Sequence, residues 1–450
     1  MSAGADSTSE AGATGKSWGP WHRVGEYYSI PTYWEPEIQS EIAVDRRRAI
    51  IDCTLSEGED MVGAHLSWTT RLEIAKRLDE LGVDEITTPI GVEMRELRDW
   101  IASCRRAGIK AKICDKLVSV VLPLEGNDDW KPRIDQRIAC EPDSLVLFAY
   151  YPQISYWSDF AEGPFTLQQV IDASQRIVEY AAGRGVEIVY SFPDSFRHRL
   201  DSITALSKAG VDAGADGVYI YDSRGQSTPR SSFVICREIK KAIGDKLLYV
   251  QHHNDLGMAT ACSLAAAEAG ADVLDASICG VGDRSGTAAL EEVAAVLYAY
   301  GFETGIKLDQ LVPLARYVEW AFGFECQATK PIVGWQANME EGWGHRDPDD
   351  PVESPMAIAG EVLGTPFESV IGPNVFGKIK ITQAPGVHKH KDILPDFMDE
   401  LGITYGDDDL AEIERRTLDA LVARREGYIR IDEFEQIVRG VLDNLPAASG

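Results

Sequence analysis

Two short polar stretches, each placed directly after an apolar run, carry residue types that bind divalent metals. One runs from Asp52 to Asp60 and the other from Gln251 to Asp255. A carboxylate and an imidazole that leave the carboxyl ends of two parallel strands would meet at one mouth of a barrel. Both groups are common ligands of divalent metals. We therefore predict that the chemistry of this chain takes place at such a mouth, where a divalent metal could bind.

The elements that would hold these stretches follow a regular alternation. From Ala49 onward, a short β-branched run, a loop, a helix-period run and a glycine turn recur. Eight alternations over about 250 residues fit a (β/α)8 TIM barrel better than an open doubly wound sheet. Gly82, Gly214 and Gly270 can each take the left-handed conformation that ends a helix before the next strand. The predicted strands are Ala49–Leu55, Asp84–Pro89, Ile109–Val118, Ser144–Tyr151, Glu187–Pro193, Gly217–Asp222, Leu247–Asp255 and Asp272–Gly280.

Outside the barrel, which we predict over residues 45–305, the character of the chain changes. Residues 1–44 form an N-terminal tail and an aromatic-rich arm, which could cover the floor of its own barrel or exchange with a partner subunit. Residues 306–390 are predicted as a linker subdomain, and residues 391–450 as a C-terminal helical subdomain. The predicted fold class is therefore α/β, a TIM barrel with C-terminal subdomains that are mostly helical.

The composition limits the classes of partner. A formal charge of -28, from 44 Lys plus Arg against 72 Asp plus Glu, repels nucleic-acid phosphates and anionic lipids. Eight cysteines are scattered without a CxxC pair, which indicates neither a zinc knuckle nor a disulfide framework. No apolar run approaches the ~18 residues of a membrane span, and the first residues lack the apolar core of a signal peptide. We expect a cytoplasmic protein that binds neither nucleic acid nor membranes.

Five motifs, in order along the chain, carry a resemblance to a known superfamily. They are Asp52–Glu59, Asp222–Gly225, His253–Ala259, Gly280–Gly286 and Lys330–Gly334. Together they resemble the superfamily of homocitrate synthase, 2-isopropylmalate synthase and 3-hydroxy-3-methylglutaryl-CoA lyase, whose members are metal-dependent barrels. The C-terminal segments resemble the additional subdomains of the synthases, which the lyases lack. The resemblance implies a homodimer in which protomers cover each other's barrel mouths.

The resemblance also implies a metal site, with departures in this chain. The family's first strand ends in an Arg followed by a metal-binding Asp or Glu, and here Ser56 and Glu57 stand at those positions. The family's His-x-His corresponds to Gln251 and His253, and an Asn ligand of some members corresponds to Thr287. We expect Glu57, His253 and Gln251 to be ligands and Ser56 and Thr287 to face the substrate. A Gln oxygen is a poor zinc ligand, which favours Mg or Mn over Zn.

Further residues are assigned to catalysis by the same resemblance. The family's catalytic His corresponds to His345, while the Tyr that assists it falls near Met356, which cannot transfer a proton. Arg224 and Arg284 are the nearest candidates to replace the positive charge lost at position 56. Asp222 is expected to support the substrate or the ligands, although it could equally hold a backbone turn.

Three functions remain open at this point. The first is an acyltransferase in which an acyl-CoA condenses with a 2-oxo acid bound at the metal, in a homocitrate or isopropylmalate synthase-like, Claisen-type reaction. The second is a carbon–carbon lyase or aldolase that acts on a hydroxy acid. The third is a catalytically silent barrel kept for binding, which the replaced Arg, His and Tyr positions favour. The synthase-like C-terminal segments favour the first function, with an altered substrate in a biosynthetic pathway.

Overall fold

A closed barrel of eight parallel strands forms the centre of the protein. The computed structural model describes residues 19–121, 130–150, 166–192, 194–337, 370–371, 373–376, 398, 402–423 and 431–442. The barrel strands are β1 (Ala49–Asp52), β2 (Glu85–Thr87), β3 (Lys112–Val121), β4 (Ser144–Tyr150), β5 (Glu187–Ser191), β6 (Gly217–Asp222), β7 (Leu247–His252) and β8 (Val273–Ala276). In the arm, His22–Arg23 and Tyr27–Tyr28 form a separate antiparallel pair. All eight predicted strands are present and differ only at their ends, so the predicted (β/α)8 class is confirmed.

Helices surround the barrel. They are α1 (Trp68–Leu81), α2 (Met94–Arg106), α3 (Lys131–Ile138), α4 (Leu167–Ala181), α5 (Leu200–Asp212), α6 (Pro229–Ile243), α7 (Ala259–Glu268) and α8 (Leu290–Ala299). After the barrel come α9 (Leu311–Phe322), α10 (Asp407–Ala423) and α11 (Ile431–Leu442). Short 3-10 helices cover Pro31–Trp34, Glu57–Asp60, Ser195–Arg197, Ile278–Gly280, Leu308–Gln310 and Pro373–Phe376, and a four-residue α-helix covers Pro36–Gln39. Within the described part of the chain, no helix is both long and apolar enough to cross a membrane.

The first barrel helix shows how local sequence sets an element. The Ser67 side chain accepts a hydrogen bond from the Thr70 N–H and so caps the start of α1. Apolar residues at helical spacing, such as Ile74 and Leu78, are fully buried against the strands. The helix ends at Gly82 with φ 99°, where a Cβ would lie 2.2 Å from the Gly305 carbonyl oxygen. Glycine is therefore required at this helix end for both backbone conformation and space.

Side chains alternate between the inside of the barrel and the helix layer, as the two-residue period of a strand demands. Inward-facing residues include a stack of three tyrosines along the barrel, of which Tyr219 and Tyr221 lie parallel with ring centroids 4.4 Å apart. Tyr249 continues the stack, with its ring centroid 5.3 Å from that of Tyr219. The interior therefore carries hydroxyl groups at several heights, and these can bind polar partners inside the barrel.

The aromatic arm packs against its own chain at the base of the barrel, the end at which the strands begin. Tyr33 contacts Tyr300 at a ring-centroid distance of 4.4 Å, and Tyr27 meets Tyr298 edge to face at 5.4 Å. Both partners lie at or just beyond the end of α8. Within one chain the arm thus packs at the base of its own barrel, and its exchange with a partner subunit stays a prediction.

The two C-terminal helices share a separate small core. Ile413 of α10 and Phe434 and Val438 of α11 are fully buried in it. Most of the predicted linker, including His345 and Met356, lies outside the described residues. The predicted domain boundaries at residues 305 and 390 therefore stay predictions.

Candidate active site

Glu57 is placed at the mouth of the barrel by a tight turn after β1. The carboxylate of Asp52, the last residue of β1, accepts hydrogen bonds from the N–H and the hydroxyl of Thr54, at 2.9 and 3.0 Å. The chain then enters the 3-10 helix Glu57–Asp60. A Cβ at Gly58 would lie 2.8 Å from a methyl carbon of Val281, so a glycine lets this turn pack on the loop after β8.

The Glu57 carboxylate is shared between two groups from opposite sides of the barrel. Its Oε1 lies 3.4 Å from the Lys116 Nζ, and its Oε2 lies 3.9 Å from the His253 Nε2. Both partner side chains are at least nine-tenths buried. The predicted pair of Glu57 and His253 therefore does lie together, with Lys116 as a third member that the sequence analysis did not name.

Lys116 belongs to a buried charged cluster below the mouth. Its Nζ lies 2.7 Å from Asp275 Oδ2, which also accepts hydrogen bonds from the Tyr219 hydroxyl and, at 2.7 Å, from the Gln251 amide nitrogen. Burial alone would lower the pKa of Lys116, but Asp275 and Glu57 outweigh it and the pKa is raised well above its ordinary value. The raised pKa favours the charged ammonium form of the lysine.

The sequence contains an indication of this buried charged cluster. Lys116 follows Asp115 in the middle of β3, Asp275 interrupts the apolar strand β8, and fully buried Lys and Asp residues are rare unless they are paired. A bulge in β3 adds to the signal in the structure, because residues 116 and 117 together face the single residue Val146 of β4. Bulges re-aim side chains and are frequent next to active sites.

Two further carboxylates, those of Asp60 and Asp283, converge on Glu57 from its solvent side. Oxygen atoms of Glu57, Asp60 and Asp283 all lie within 4.8 Å of one another. Burial and then the neighbouring Glu57 and Asp283 raise the pKa of Asp60 to about 6. Such an all-oxygen group suits a hard cation such as Mg²⁺ or Mn²⁺, which would relieve the repulsion between the carboxylates. Asp60 ends the first polar stretch of the sequence analysis and Asp283 lies in the motif Gly280–Gly286, but their convergence was not predicted.

The other two predicted ligands, His253 and Gln251, also fit a metal. Burial lowers the pKa of His253, which favours the neutral imidazole that ligates metals. A separation of 3.9 Å between His253 Nε2 and Glu57 Oε2 exceeds a hydrogen bond and suits two ligands with bonds of roughly 2.1 Å each to one ion. The Gln251 Oε1 atom is buried and has no hydrogen-bond partner among the described residues. The site residues therefore fit a divalent metal.

Ser56 and Thr287, expected to face the substrate, make hydrogen bonds inside the protein. The hydroxyls of Ser56 and Thr87 lie 2.8 Å apart, and those of Thr287 and Ser277 also lie 2.8 Å apart. Neither Ser56 nor Thr287 exposes more than 1% of its surface. In this conformation both residues shape the loops around the mouth.

The remaining predicted residues lie at the rim. Arg284 donates two hydrogen bonds to Asp255, at 2.8 and 3.1 Å, and another to the Ser223 carbonyl. The Asp222 carboxylate accepts hydrogen bonds from two backbone N–H groups of the turn after β6, those of residues 226 and 227. Arg224 follows it in that turn and is exposed. Asp222 therefore holds a backbone turn, and Arg284 ties the loops after β6, β7 and β8 together.

His252 provides an internal contrast to His253. Strand alternation predicts that it faces outward, and it lies between α6 and α7 with its ring nitrogens 3.0 Å from the Ser232 hydroxyl and 3.3 Å from the Ser263 hydroxyl. Burial lowers its pKa to about 4. His252 is therefore a neutral residue of the helix layer and does not reach the mouth.

Comparison with known proteins agrees with this architecture. The model of the HMGL-like family matches residues 47–318. A homocitrate synthase from Methanocaldococcus jannaschii is 29% identical over 87% of this chain and 90% of its own length. An (R)-citramalate synthase from the same organism is 30% identical over 82% of this chain and 70% of its own length. Among solved structures, an HMG-CoA lyase from Brucella melitensis has the same fold, with a TM-score of 0.50, 19% identity and coverage of 62% of this chain and 99% of the lyase.

Proposed function

The chain belongs to the HMGL-like family, and from that premise we propose that it is a synthase that condenses an acyl-CoA with a 2-oxo acid. One observation carries the proposal: Glu57 lies at the carboxyl end of the barrel, beside His253 and two further carboxylates. Two curated relatives that match most of this chain are synthases. The proposed reaction is a metal-assisted Claisen-type condensation, and the chain is proposed to be a cytoplasmic acyltransferase.

The proposed cofactor is a divalent metal, with Mg or Mn favoured over Zn. Glu57 and His253 would hold it, with Gln251 or the carboxylates of Asp60 and Asp283 as further oxygen donors. When bound, such an ion polarises a keto group and stabilises negative charge on its oxygen. The oxygen-rich donor set supports the preference for a hard ion.

The residues of the chain have separate proposed roles. His345 is proposed to take the proton from the methyl group of the acyl-CoA, as the resemblance implies. Arg284 holds the loop that carries Asp283, and together with Arg224 it offers positive charge at the rim for an anionic substrate. Ser56, Asp222 and Thr287 are proposed to shape the pocket for the 2-oxo acid through their contacts with the surrounding loops.

A free-CoA release assay tests the proposal. The full-length protein, loaded with Mg²⁺ or Mn²⁺, is incubated with acetyl-CoA and a panel of 2-oxo acids, and products are identified by mass spectrometry. We expect CoA release with at least one acid and a product that contains both carbon skeletons. Glu57→Ala is the control and should release none. If no acid gives CoA release or raises the melting temperature, the binding-barrel alternative replaces the synthase.

We also propose a homodimer, which the resemblance implies and which the aromatic arm could help to form. Because the arm lies on its own barrel floor, the protomer contact would involve other surfaces or the outer face of the arm. Analytical ultracentrifugation at micromolar concentration should give twice the monomer mass. A monomer with full activity would exclude this assembly.

A further inference from the structure

We propose that Lys116 supplies the fixed positive charge of the active site, the part that the resemblance assigns to an Arg at position 56. The inference rests on the proposed function, because it concerns the charge that develops in that reaction. Ser56 offers no charge, and Arg284 is paired with Asp255 at 2.8 Å and with Asp283 at 3.4 Å. Lys116 is the cation that contacts Glu57 in the described part of the site.

The position of Lys116 follows from the strand register. Tyr221, Gln251 and Asp275 are register partners on the adjacent strands β6, β7 and β8 and line one wall of the barrel interior. Lys116 comes from β3, across the barrel, and its Nζ reaches Asp275 at 2.7 Å. The bulge in β3 at residues 116 and 117 lies where the lysine leaves the regular ladder.

This layer has unused hydrogen-bonding capacity. The Tyr221 hydroxyl, Gln251 Oε1 and Asp275 Oδ1 are buried, and none has a hydrogen-bond partner among the residues that the structure describes. The Lys116 ammonium carries three N–H groups; it donates one to Asp275 at 2.7 Å and forms an ion pair with Glu57 at 3.4 Å. Unpaired buried polar atoms are costly, so a polar wall of this kind suits a site completed by a ligand or by water.

The charge balance indicates which ligand group suits the layer. Lys116 and Asp275 neutralise each other, and the three carboxylates above them repel a free anion. A neutral carbonyl oxygen that becomes negative during reaction matches this arrangement better than a carboxylate does. We therefore infer that Lys116 stabilises the negative charge on the keto oxygen of the 2-oxo acid or on the enolate oxygen.

The assignment has a consequence that does not depend on turnover. A divalent metal held by Glu57 would share that carboxylate with Lys116, so the ammonium charge would weaken metal binding. Lys116→Met shortens the unbranched side chain by one atom and removes the charge. It should tighten Mn²⁺ binding about tenfold or more, measured by calorimetry on the full-length protein, and lower kcat roughly a hundredfold in the CoA-release assay.

Two matched variants separate charge from shape. Lys116→Arg keeps the charge and should bind Mn²⁺ with an affinity close to that of the wild type. Lys112→Met removes an ammonium group from the same strand, at the base of the barrel, and should leave both Mn²⁺ affinity and kcat unchanged. Tightening in Lys116→Met but in neither control supports the proposal, whereas equal Mn²⁺ affinity in all four proteins overturns it.

A second comparison covers the case in which Lys116→Met does not fold, because Asp275 would remain buried without its partner. The double variant Lys116→Met/Asp275→Asn removes both charges and keeps an acceptor for Tyr219. It should bind Mn²⁺ about tenfold more tightly than Asp275→Asn alone; equal affinities would overturn the inference. If the wild type releases no CoA with any acid, the synthase proposal fails, while the Mn²⁺ titrations still show whether the charge of Lys116 acts on the metal site.

Discussion

The two ends of the barrel interior both contain a lysine, a tyrosine and two carboxylates. They differ in how many of the polar atoms of these groups have hydrogen-bond partners. At the base, the Tyr249 hydroxyl lies 2.8 Å from Glu85 and 3.3 Å from Glu187, and Lys112 binds Glu187 at 2.8 Å. These three side-chain contacts close a network within the protein. The base therefore has the character of a structural polar layer.

At the mouth, the corresponding groups leave capacity unused. Lys116, Tyr219 and Gln251 all bind the same oxygen of Asp275, while its other oxygen has no partner in the described structure. The nearby Tyr221 hydroxyl is also without one among the described residues. Because barrel enzymes place their chemistry at the carboxyl ends of the strands, this asymmetry separates a supporting end from a functional end. Four comparisons between variants can break or sharpen the contrast.

The largest expected effect is the loss of metal binding at the mouth. Glu57→Gln keeps the side-chain shape but removes the charge that contacts His253 and converges with Asp60 and Asp283. We expect stoichiometric Mn²⁺ binding to disappear and CoA release to fall by roughly a thousandfold or more. Glu187→Gln at the base should change neither quantity. If elemental analysis finds one Mn²⁺ per chain in Glu57→Gln, the metal site does not lie at the mouth.

The second effect is a pH dependence of stability that originates at the base. Burial raises the pKa of Glu85 from 4.5 to about 7 in the folded protein. A raised carboxyl pKa stabilises the fold below the unfolded-state pKa, and this contribution is lost as pH rises toward the folded-state value. The stability of the wild type relative to Glu85→Gln should thus fall by about 2 kcal/mol between pH 5 and 7.5. Urea denaturation of both proteins at several pH values measures this difference in unfolding free energy. A difference that does not vary with pH would contradict the raised pKa of Glu85.

The third effect compares two tyrosines of the stack. Tyr249→Phe removes the hydroxyl shared by Glu85 and Glu187 and should cost about 1.5 kcal/mol of unfolding free energy. Tyr221→Phe removes a buried hydroxyl that has no partner in the described structure, so stability should be unchanged or slightly higher. If both variants lose the same stability in thermal and urea unfolding, then the hydroxyls at the two ends of the barrel have equivalent hydrogen-bond partners.

The smallest effect concerns the outer carboxylates of the mouth. Asp60→Asn and Asp283→Asn each remove one charge from the group around Glu57. Each should weaken Mn²⁺ binding about tenfold, which corresponds to about 1.4 kcal/mol. Asp255→Asn, which acts on Arg284 at the rim, is the comparison variant and should weaken Mn²⁺ less. If calorimetry shows that Asp255→Asn weakens Mn²⁺ binding more than Asp60→Asn or Asp283→Asn does, then the outer carboxylates act on the ion through their electrostatic field and not as ligands.

Much of the fold was predictable because it depends on local patterns. The two-residue period of the strands and the glycine that ends α1 at Gly82 are encoded within a few residues of each other. The same logic placed Glu57 and His253 after two strands of a parallel barrel, and their side chains are indeed 3.9 Å apart. Strand ends were less accurate, as in β8, where the predicted end at Gly280 is a 3-10 helix.

The sequence by itself determined the barrel, its family and the motifs that reach its mouth. Only the tertiary structure decided which charges meet there. Lys116 and Asp275 are separated by 159 positions and become partners because the barrel closes. Asp60 and Asp283 converge because Gly58 lets a turn pack against Val281. Hydrophobic periodicity is a property of neighbouring residues, whereas the partner of a buried charge is set by distance in the folded chain, which no local pattern contains.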